Sequence, residues 1–173
     1  MCHILLKPKI FFHFPRLDYF YRMEITVREA TIADIAVIKD FQMRMAAESE
    51  GLLLDPEVLA QGIKAVFTDR QKGVYYVAGS ADRVIASLMI TREWSDWRNG
   101  WVWWIQSVYV DQAYRGTGVF RRMYMFLQDK AHCDPDIRGL RLYVDKGNLP
   151  AMAVYEALGM NGEHYRVFEW MKT

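Results

Sequence analysis

The chain has 173 residues, enough for one domain with a sizeable core. Aromatic residues make up 14% of it, which argues against disorder, and a net charge of +1 gives no general attraction to nucleic acid or anionic membranes. No apolar run is long enough to span a bilayer, and two cysteines, Cys2 and Cys133, make no disulfide framework. A reducing, cytoplasmic setting is therefore expected.

Residues 1–22 differ in character from the rest of the chain. They are basic and aromatic, and Pro8 and Pro15 interrupt them. An uninterrupted apolar stretch and a small-residue cleavage site, which mark a secretory signal, are both missing. We expect an extension that is not part of the fold, followed by a single domain over residues 23–173. The alternative is a functional N-terminal arm.

The first elements of the expected domain are a strand and two helices. Residues 24–29 alternate between apolar and polar, which predicts a strand. Thr31 and Asp34 resemble a capping box with Asp in place of Glu, which predicts the start of a helix. Asp55 and Pro56 are the residue types preferred at the N-cap and first position of a second helix.

Three further strands are predicted in the middle of the chain. Residues 74–78, 84–90 and 101–110 are rich in β-branched and aromatic residues, and turn residues separate them. The pair Asn99-Gly100 is a strong signal for a tight turn. These segments predict an antiparallel meander, which excludes a Rossmann fold because that fold alternates strands and helices from its start.

Five tryptophans surround this last turn. Strand alternation should put Trp101 and Trp103 on one face of the sheet and Trp104 on the other. Most of the five should lie in the core, although an apolar acceptor pocket or a dimer face would also use them. The set consists of Trp94, Trp97, Trp101, Trp103 and Trp104.

A glycine loop, residues 115–120, follows the third of these strands and precedes a helical pattern. Its two glycines let the backbone approach a ligand closely, and the N–H groups at a helix N-terminus attract anions. Arg115, Arg121 and Arg122 add positive charge around it. The pattern predicts a phosphate site, against the alternative of a glycine turn without a ligand. A P-loop motif is absent, and a dinucleotide fingerprint would need Gly where the chain has Arg121.

A second strand and helix complete the pattern. Residues 140–144 alternate like a strand. Asn148 and Pro150 suit the N-cap and first turn of a helix, and Gly159 suits its C-terminal cap. Residues 163–171 alternate again and predict a last strand.

The glycine loop at residues 115–120 and the strand–helix segment at residues 140–160 resemble the two signatures of GNAT-type N-acyltransferases. The Arg/Gln-x-x-Gly-x-Gly/Ala loop, which binds the pyrophosphate of coenzyme A (CoA), reads Arg-Gly-Thr-Gly-Val-Phe at residues 115–120, with Phe120 where Gly or Ala is usual. The second signature, Asn-x-x-Ala-x-x-x-Tyr-x-x-x-Gly-Phe, is matched at Asn148 and Tyr155, with Met160 in place of Phe. The resemblance covers nearly the whole chain after its first 22 residues.

The resemblance implies an α+β fold: an α/β/α sandwich around a mixed, mostly antiparallel sheet whose fourth and fifth strands are splayed. It implies acetyl-CoA as the acyl donor, without a metal. Free backbone groups between the splayed strands would hold the pantetheine arm, and the Val108 N–H would be an oxyanion donor. The implied cofactor-binding residues are Val108, Tyr109, Val110, Arg115, Gly116, Thr117, Gly118, Val119, Phe120, Arg121, Asn148 and Tyr155.

The resemblance also implies an N-acetyltransferase, in which a primary amine of a small molecule attacks the thioester directly in a ternary complex. Tyr155 stands at the family's acid position and would assist thiolate departure; the alternative is a ring packed in the core. Glu93 or Asp145 could take the amine's proton through water, although Glu93 also suits a surface salt bridge. Glu48 and Glu50, on the helical pair that borders the family's acceptor site, could attract the amine or be ordinary solvated charges.

Two other functions stay open on the sequence. One is a CoA-binding module without turnover, and the other is transfer to protein lysines or N-termini. The expected partner is a small-molecule amine rather than nucleic acid or a membrane, with a homodimer also open.

Removal of residues 1–22 tests the expected domain boundary. A chain that begins at Met23 should fold and bind CoA like the full chain, because the first predicted strand starts after that residue. Circular dichroism and calorimetric titration with CoA measure these two properties. Loss of either one would make the extension part of the domain.

Overall fold

The computed structural model describes residues 24–172, and the expected extension at residues 1–22 lies outside them. Within the described range, none of the helices has the length and apolar character that crossing a bilayer requires. The strands are β1 (Ile25–Glu29), β2 (Val74–Ser80), β3 (Arg83–Ser95), β4 (Gly100–Val110) and β5 (Ile137–Leu142), and the helices are α1 (Ile35–Ser49), α2 (Pro56–Thr68), α3 (Val119–Cys133) and α4 (Leu149–Ala157).

The five strands form one sheet in sequence order. β1 to β4 run antiparallel to their neighbours, which confirms the predicted meander, and β5 runs parallel to β4. A parallel neighbour needs a crossover connection, and α3 supplies it. The mixed, mostly antiparallel sheet of the expected α+β fold is thus confirmed.

Helices cover both faces of the sheet, which explains why residues 74–78 of β2 are all buried instead of alternating. One apolar cluster joins the sheet to α1 and α2, and a larger one joins its other face to α3. The first contains Ala30, Ile38, Ile63, Tyr75 and Val77, and the second is centred on Tyr76, Leu88, Ile105, Met123 and Leu127.

The strand predicted at residues 163–171 is wrong. Residues 161–172 adopt no regular structure, and the side chains of Phe168 and Trp170 are 93% and 85% exposed. An alternating segment becomes a strand only when a neighbouring strand pairs with it, and no ladder joins this segment to β5. The strand predicted at residues 140–144 is present, but it begins three residues earlier, as β5.

The tryptophans lie mostly outside the core, contrary to expectation. Only Trp103, 6% exposed, is buried, whereas Trp94 and Trp97 are 50% and 90% exposed. Both exposed residues lie at the tip of the β3–β4 hairpin, where Trp94 packs edge-on against Trp101 at 5.1 Å between ring centroids. Alternation puts Trp104 on the other face, as predicted, and there its indole contacts Glu93.

An ion pair with a buried carboxylate lies just before the start of α1. The Arg28 guanidinium of β1 donates two hydrogen bonds to Asp34, at 2.7 and 2.9 Å, and the Thr31 N–H donates to the same carboxylate at 2.7 Å. The predicted capping box of Thr31 and Asp34 is confirmed. The hydrogen bond from Arg28, supported by those from Thr31, lowers the pKa of Asp34 to about 2 despite its burial.

Acid should remove the stabilisation that Asp34 provides. The pKa of Asp34 is lower in the folded state than in the unfolded state, so its contribution, about 2 kcal/mol, is complete above about pH 5 and is lost as the pH falls towards 2. Asp34→Asn should therefore lower the free energy of unfolding at pH 7 by about that amount, and by clearly less at pH 3. Urea unfolding at the two pH values measures the difference.

The matched control for this prediction is Asp82→Asn in the exposed β2–β3 turn. Surface changes of this kind stay within about 0.5 kcal/mol. An Asp34→Asn penalty that is independent of pH would contradict the assignment of the stabilisation to the Asp34 charge.

Candidate functional site

The glycine loop has a backbone shaped for a close-fitting ligand. Gly116 and Gly118 have φ angles of +75° and +82°, in the left-handed region that favours glycine. A Cβ built at either position meets no atom within 4 Å, so the space in front of the loop is open. Gly118 is the N-cap of α3 and offers no side chain to its first N–H groups, which are therefore available to an anion.

Three hydrogen bonds hold the loop and the turn before it in shape. The Thr117 hydroxyl donates to the Tyr114 carbonyl at 2.6 Å. The buried carboxylate of Asp111 accepts from the Ala113 N–H at 3.0 Å and from Arg83 at 3.0 Å. The loop is thus preorganised by its own chain and by β3.

The three arginines expected around the loop have different roles in the structure. Arg121 and Arg122 are exposed on the first turn of α3. Arg115 instead donates to Glu48 at 2.6 Å and to the Val110 carbonyl at 2.9 Å. An anion at the loop would therefore meet mainly backbone N–H groups.

β4 and β5 diverge beside the loop. Their parallel pairing ends at Ile105 opposite Leu142, while β4 continues to Val110. The pairing with β3 also shifts here, because Met89 pairs with Gln106 and Ser87 with Tyr109.

Two β4 residues, Ser107 and Val108, therefore face one residue of β3, which defines a β-bulge. Ser107 has a φ of +53°, and its carbonyl accepts from the buried Gln42 side chain of α1 at 3.2 Å. Beyond the bulge, the β5 side of β4 has no strand partner among the described residues. This is the splayed geometry expected for a pantetheine slot.

The side chains of two expected cofactor-binding residues point into the protein. Tyr109 and Val119 are 3% and 2% exposed, so that only their backbone is available to a ligand. Val108 and Val110 are partly buried. Sequence reasoning had no signal for the positive φ of Ser107 or for the role of Gln42, because both depend on contacts between distant elements.

The two sequence signatures meet in space. Asn148 caps α4 by accepting from the Ala151 N–H at 3.2 Å, as predicted. From α4, the Tyr155 ring packs edge-on against Phe120 of the glycine loop, at 5.4 Å between centroids. Burial raises the pKa of Tyr155 above its usual value, which keeps its hydroxyl protonated at neutral pH.

The structure does not bring Glu93 to this place. Glu93 pairs in register with Val102, and Val108 lies six residues further along β4, which corresponds to about 20 Å. The Glu93 carboxylate accepts from Arg141 at 2.7 Å and from the Trp104 indole. These contacts match the alternative given for Glu93, a surface salt bridge. Asp145 accepts from the Gly147 N–H at 2.6 Å, within the turn before α4.

Comparison with known proteins agrees with this geometry. Residues 47–160 match the acetyltransferase (GNAT) family. This chain belongs to the GNAT acetyltransferase family. Family membership supports the predicted acetyltransferase class, and acetyl-CoA is the acyl donor that the family uses. No relative of this GNAT chain was found among curated proteins.

Solved structures give the same result. A possible acetyltransferase from Clostridium difficile 630 is 44% identical, with a TM-score of 0.80 over 86% of this chain and 98% of its own. A predicted acetyltransferase with acetyl-CoA from Clostridium acetobutylicum is 20% identical, with a TM-score of 0.65 over 87% and 96%. Glucosamine-6-phosphate N-acetyltransferase from Arabidopsis thaliana is 16% identical, with a TM-score of 0.66 over 86% and 99%. The last two show a shared fold.

Gly118→Asp tests the anion site of the glycine loop. The new side chain would bring a negative charge to the helix N-terminus where the pyrophosphate is expected, so CoA affinity should fall at least about tenfold. Calorimetric titration with CoA measures the affinity, and circular dichroism checks the fold.

Gly159→Asp is the matched control. Gly159 has the same φ of +82° and equally open space, so that backbone strain and added charge are similar. It lies after the C-terminal end of α4 and should leave CoA affinity close to that of the parent. Equal affinities for the parent and Gly118→Asp would contradict the assignment.

Proposed function

We propose that this GNAT protein transfers an acetyl group from acetyl-CoA to a primary amine of a small molecule, by direct attack in a ternary complex. The main support is the contact between the glycine loop and α4, in which Phe120 packs against Tyr155 at 5.4 Å between ring centroids. The glycine loop follows β4 closely along the chain, and α4 brings the protonated Tyr155 phenol against it. We propose the cytoplasm as the compartment in which the protein acts.

The backbone does most of the binding in this proposal. N–H groups of the glycine loop and the first turn of α3 hold the pyrophosphate. The pantetheine arm lies along Val108–Val110 of β4, whose outer edge has no strand partner in the described range. The Val108 N–H donates to the thioester oxygen, where negative charge develops. Positioning of the two reactants in this way is worth roughly 7–11 kcal/mol.

Tyr155 supplies a proton donor rather than a base. A tyrosine pKa of about 10 lies above the thiol value of about 8.5, so complete proton transfer to the leaving thiolate is uphill by about 2 kcal/mol. Burial raises the pKa of Tyr155 further in this protein. We therefore assign its hydroxyl a hydrogen bond to the developing thiolate.

Glu93 is not assigned as the general base in this proposal. Deprotonation of an amine of pKa about 10 costs roughly 4 kcal/mol at pH 7. A carboxylate can reduce this cost only within hydrogen-bond reach of the amine or through one water. The Glu93 backbone lies opposite Val102, six residues before Val108, and its carboxylate is held by Arg141 and the Trp104 indole, so proton loss to solvent fits the structure better.

Tyr155→Phe tests the proposal as a whole. Loss of the hydroxyl alone should lower turnover by roughly 10²–10⁴-fold, while CoA affinity stays nearly unchanged. The assay measures thiol release from acetyl-CoA in the presence of a panel of small primary amines and, separately, of lysine peptides. Calorimetry with CoA measures the affinity.

Tyr124→Phe is the matched control, because Tyr124 is a buried tyrosine that stacks on the same Phe120 ring at 6.3 Å. It should leave turnover near the parent level. Full activity of Tyr155→Phe would contradict the role of the Tyr155 hydroxyl and would leave water as the proton donor. CoA binding without thiol release for any amine would instead support a binding module, and activity on the peptides alone would support a protein acetyltransferase.

A further inference from the structure

An ion pair ties the last turn of α1 to the glycine loop. Glu48 accepts from Arg115 at 2.6 Å through one carboxylate oxygen and from the Tyr109 hydroxyl at 2.8 Å through the other. The hydrogen bond from Arg115 is the main cause that lowers the pKa of Glu48 below its usual value. Glu48 is therefore ionised at neutral pH and has a donor on each oxygen.

The ring of Tyr109 forms the centre of this contact. It is almost fully buried at the end of β4 and packs against Phe41 of α1 at 5.1 Å between centroids. The guanidinium groups of Arg44 and Arg115 lie 5.1 and 5.2 Å from its centroid. Cation–π attraction and the hydroxyl bond to Glu48 thus orient Arg115 from two directions.

Arg115 already bridges three elements of the fold. Its Nε donates to the Val110 carbonyl at the end of β4, and its Nη2 donates to Glu48 of α1, while its own backbone begins the glycine loop. A guanidinium presents its donors in a rigid plane, so that one that satisfies both acceptors has a fixed direction. These contacts use the Nε–H and one Nη2–H, so a phosphate could reach only the remaining donors, in a plane whose direction Val110 and Glu48 set.

The segment that follows α1 depends on this connection. Gly51 has a φ of +65°, and the Leu52 N–H donates to the Ala46 carbonyl at 3.1 Å, which ties the start of residues 50–55 to the last turn of α1. Leu53 of the same segment is 93% exposed. The position of the segment is thus set by the last turn of α1, and that turn is fixed to the glycine loop through Glu48.

We infer that Arg115 is a positioning residue and not a phosphate ligand: together with Glu48 it couples the glycine loop to the end of α1, so that CoA bound at the loop also orders residues 46–55. The inference rests on the proposed function, in which CoA binds at this loop. Arg115, the first residue of the loop, then connects the CoA-binding side of the site to α1 and to residues 50–55.

Hydrogen–deuterium exchange on the full chain, with and without CoA, is the first test. CoA should slow exchange at residues 116–122 and also at residues 46–55. In Glu48→Gln, which keeps the size of the side chain and an acceptor for Tyr109, protection at residues 116–122 should remain and that at residues 46–55 should be lost. Glu50→Gln, an exposed change two residues away, is the control and should behave like the parent.

The second test separates a positioning role from a ligand role by CoA affinity. Arg115→Lys keeps the charge but cannot bridge Val110 and Glu48 in one plane. We expect Arg115→Lys, Arg115→Gln and Glu48→Gln each to weaken CoA binding about three- to tenfold, and Arg115→Gln combined with Glu48→Gln to be no weaker than the worse single variant. The salt dependence of the affinity should stay that of the parent.

Three results would overturn the inference. Arg115→Lys could retain full affinity while Arg115→Gln loses it, which is the behaviour of a phosphate ligand. The effects of Arg115→Gln and Glu48→Gln could add fully in the double variant. CoA could protect residues 116–122 of the parent without protecting residues 46–55, in which case the proposed CoA site stands and the coupling fails. Absence of protection at residues 116–122 in the parent would contradict the proposed function itself.

Discussion

β4 loses its neighbour β5 after Ile105, and the rest of the site depends on that loss. Backbone N–H and C=O groups away from water require partners, and a strand edge inside a domain is costly unless something pairs with it. The bulge at Ser107, held by Gln42 of α1, turns the strand at this point. The glycine loop then begins within a few residues, so that one irregularity in the sheet positions both the open edge and the helix N-terminus.

Two ion pairs near the site help to build it. Arg115 is paired with Glu48, and Arg83 with Asp111. In the proposed function, fixed backbone dipoles attract the pyrophosphate, while Arg115 and Arg83 hold elements together. Such dipoles cost no side-chain entropy when a ligand binds.

Local signals were sufficient for most of the fold. The capping box, the N-caps of α2 and α4, the strand–glycine–helix order and the meander depend on neighbouring residues, and all were predicted correctly. Contacts between distant residues were not predictable: Glu48 and Arg115 are separated by 67 positions, and nothing in the spacing of Glu93 indicated that Arg141 would pair with it. The segment at residues 163–171 failed because alternation describes a strand but does not supply its neighbour.

The segment at residues 163–171 and the edge strand β5 both bear on aggregation in concentrated solution. β5 is one of the two edge strands of the described sheet, and it is short and carries Arg138 and Arg141, which discourage pairing with another chain. Residues 163–171 mix exposed aromatic and apolar side chains with charged ones, and they lack any partner strand in the described range. Arg166 and Glu169 interrupt the apolar residues of this segment, and charges in such positions oppose aggregation.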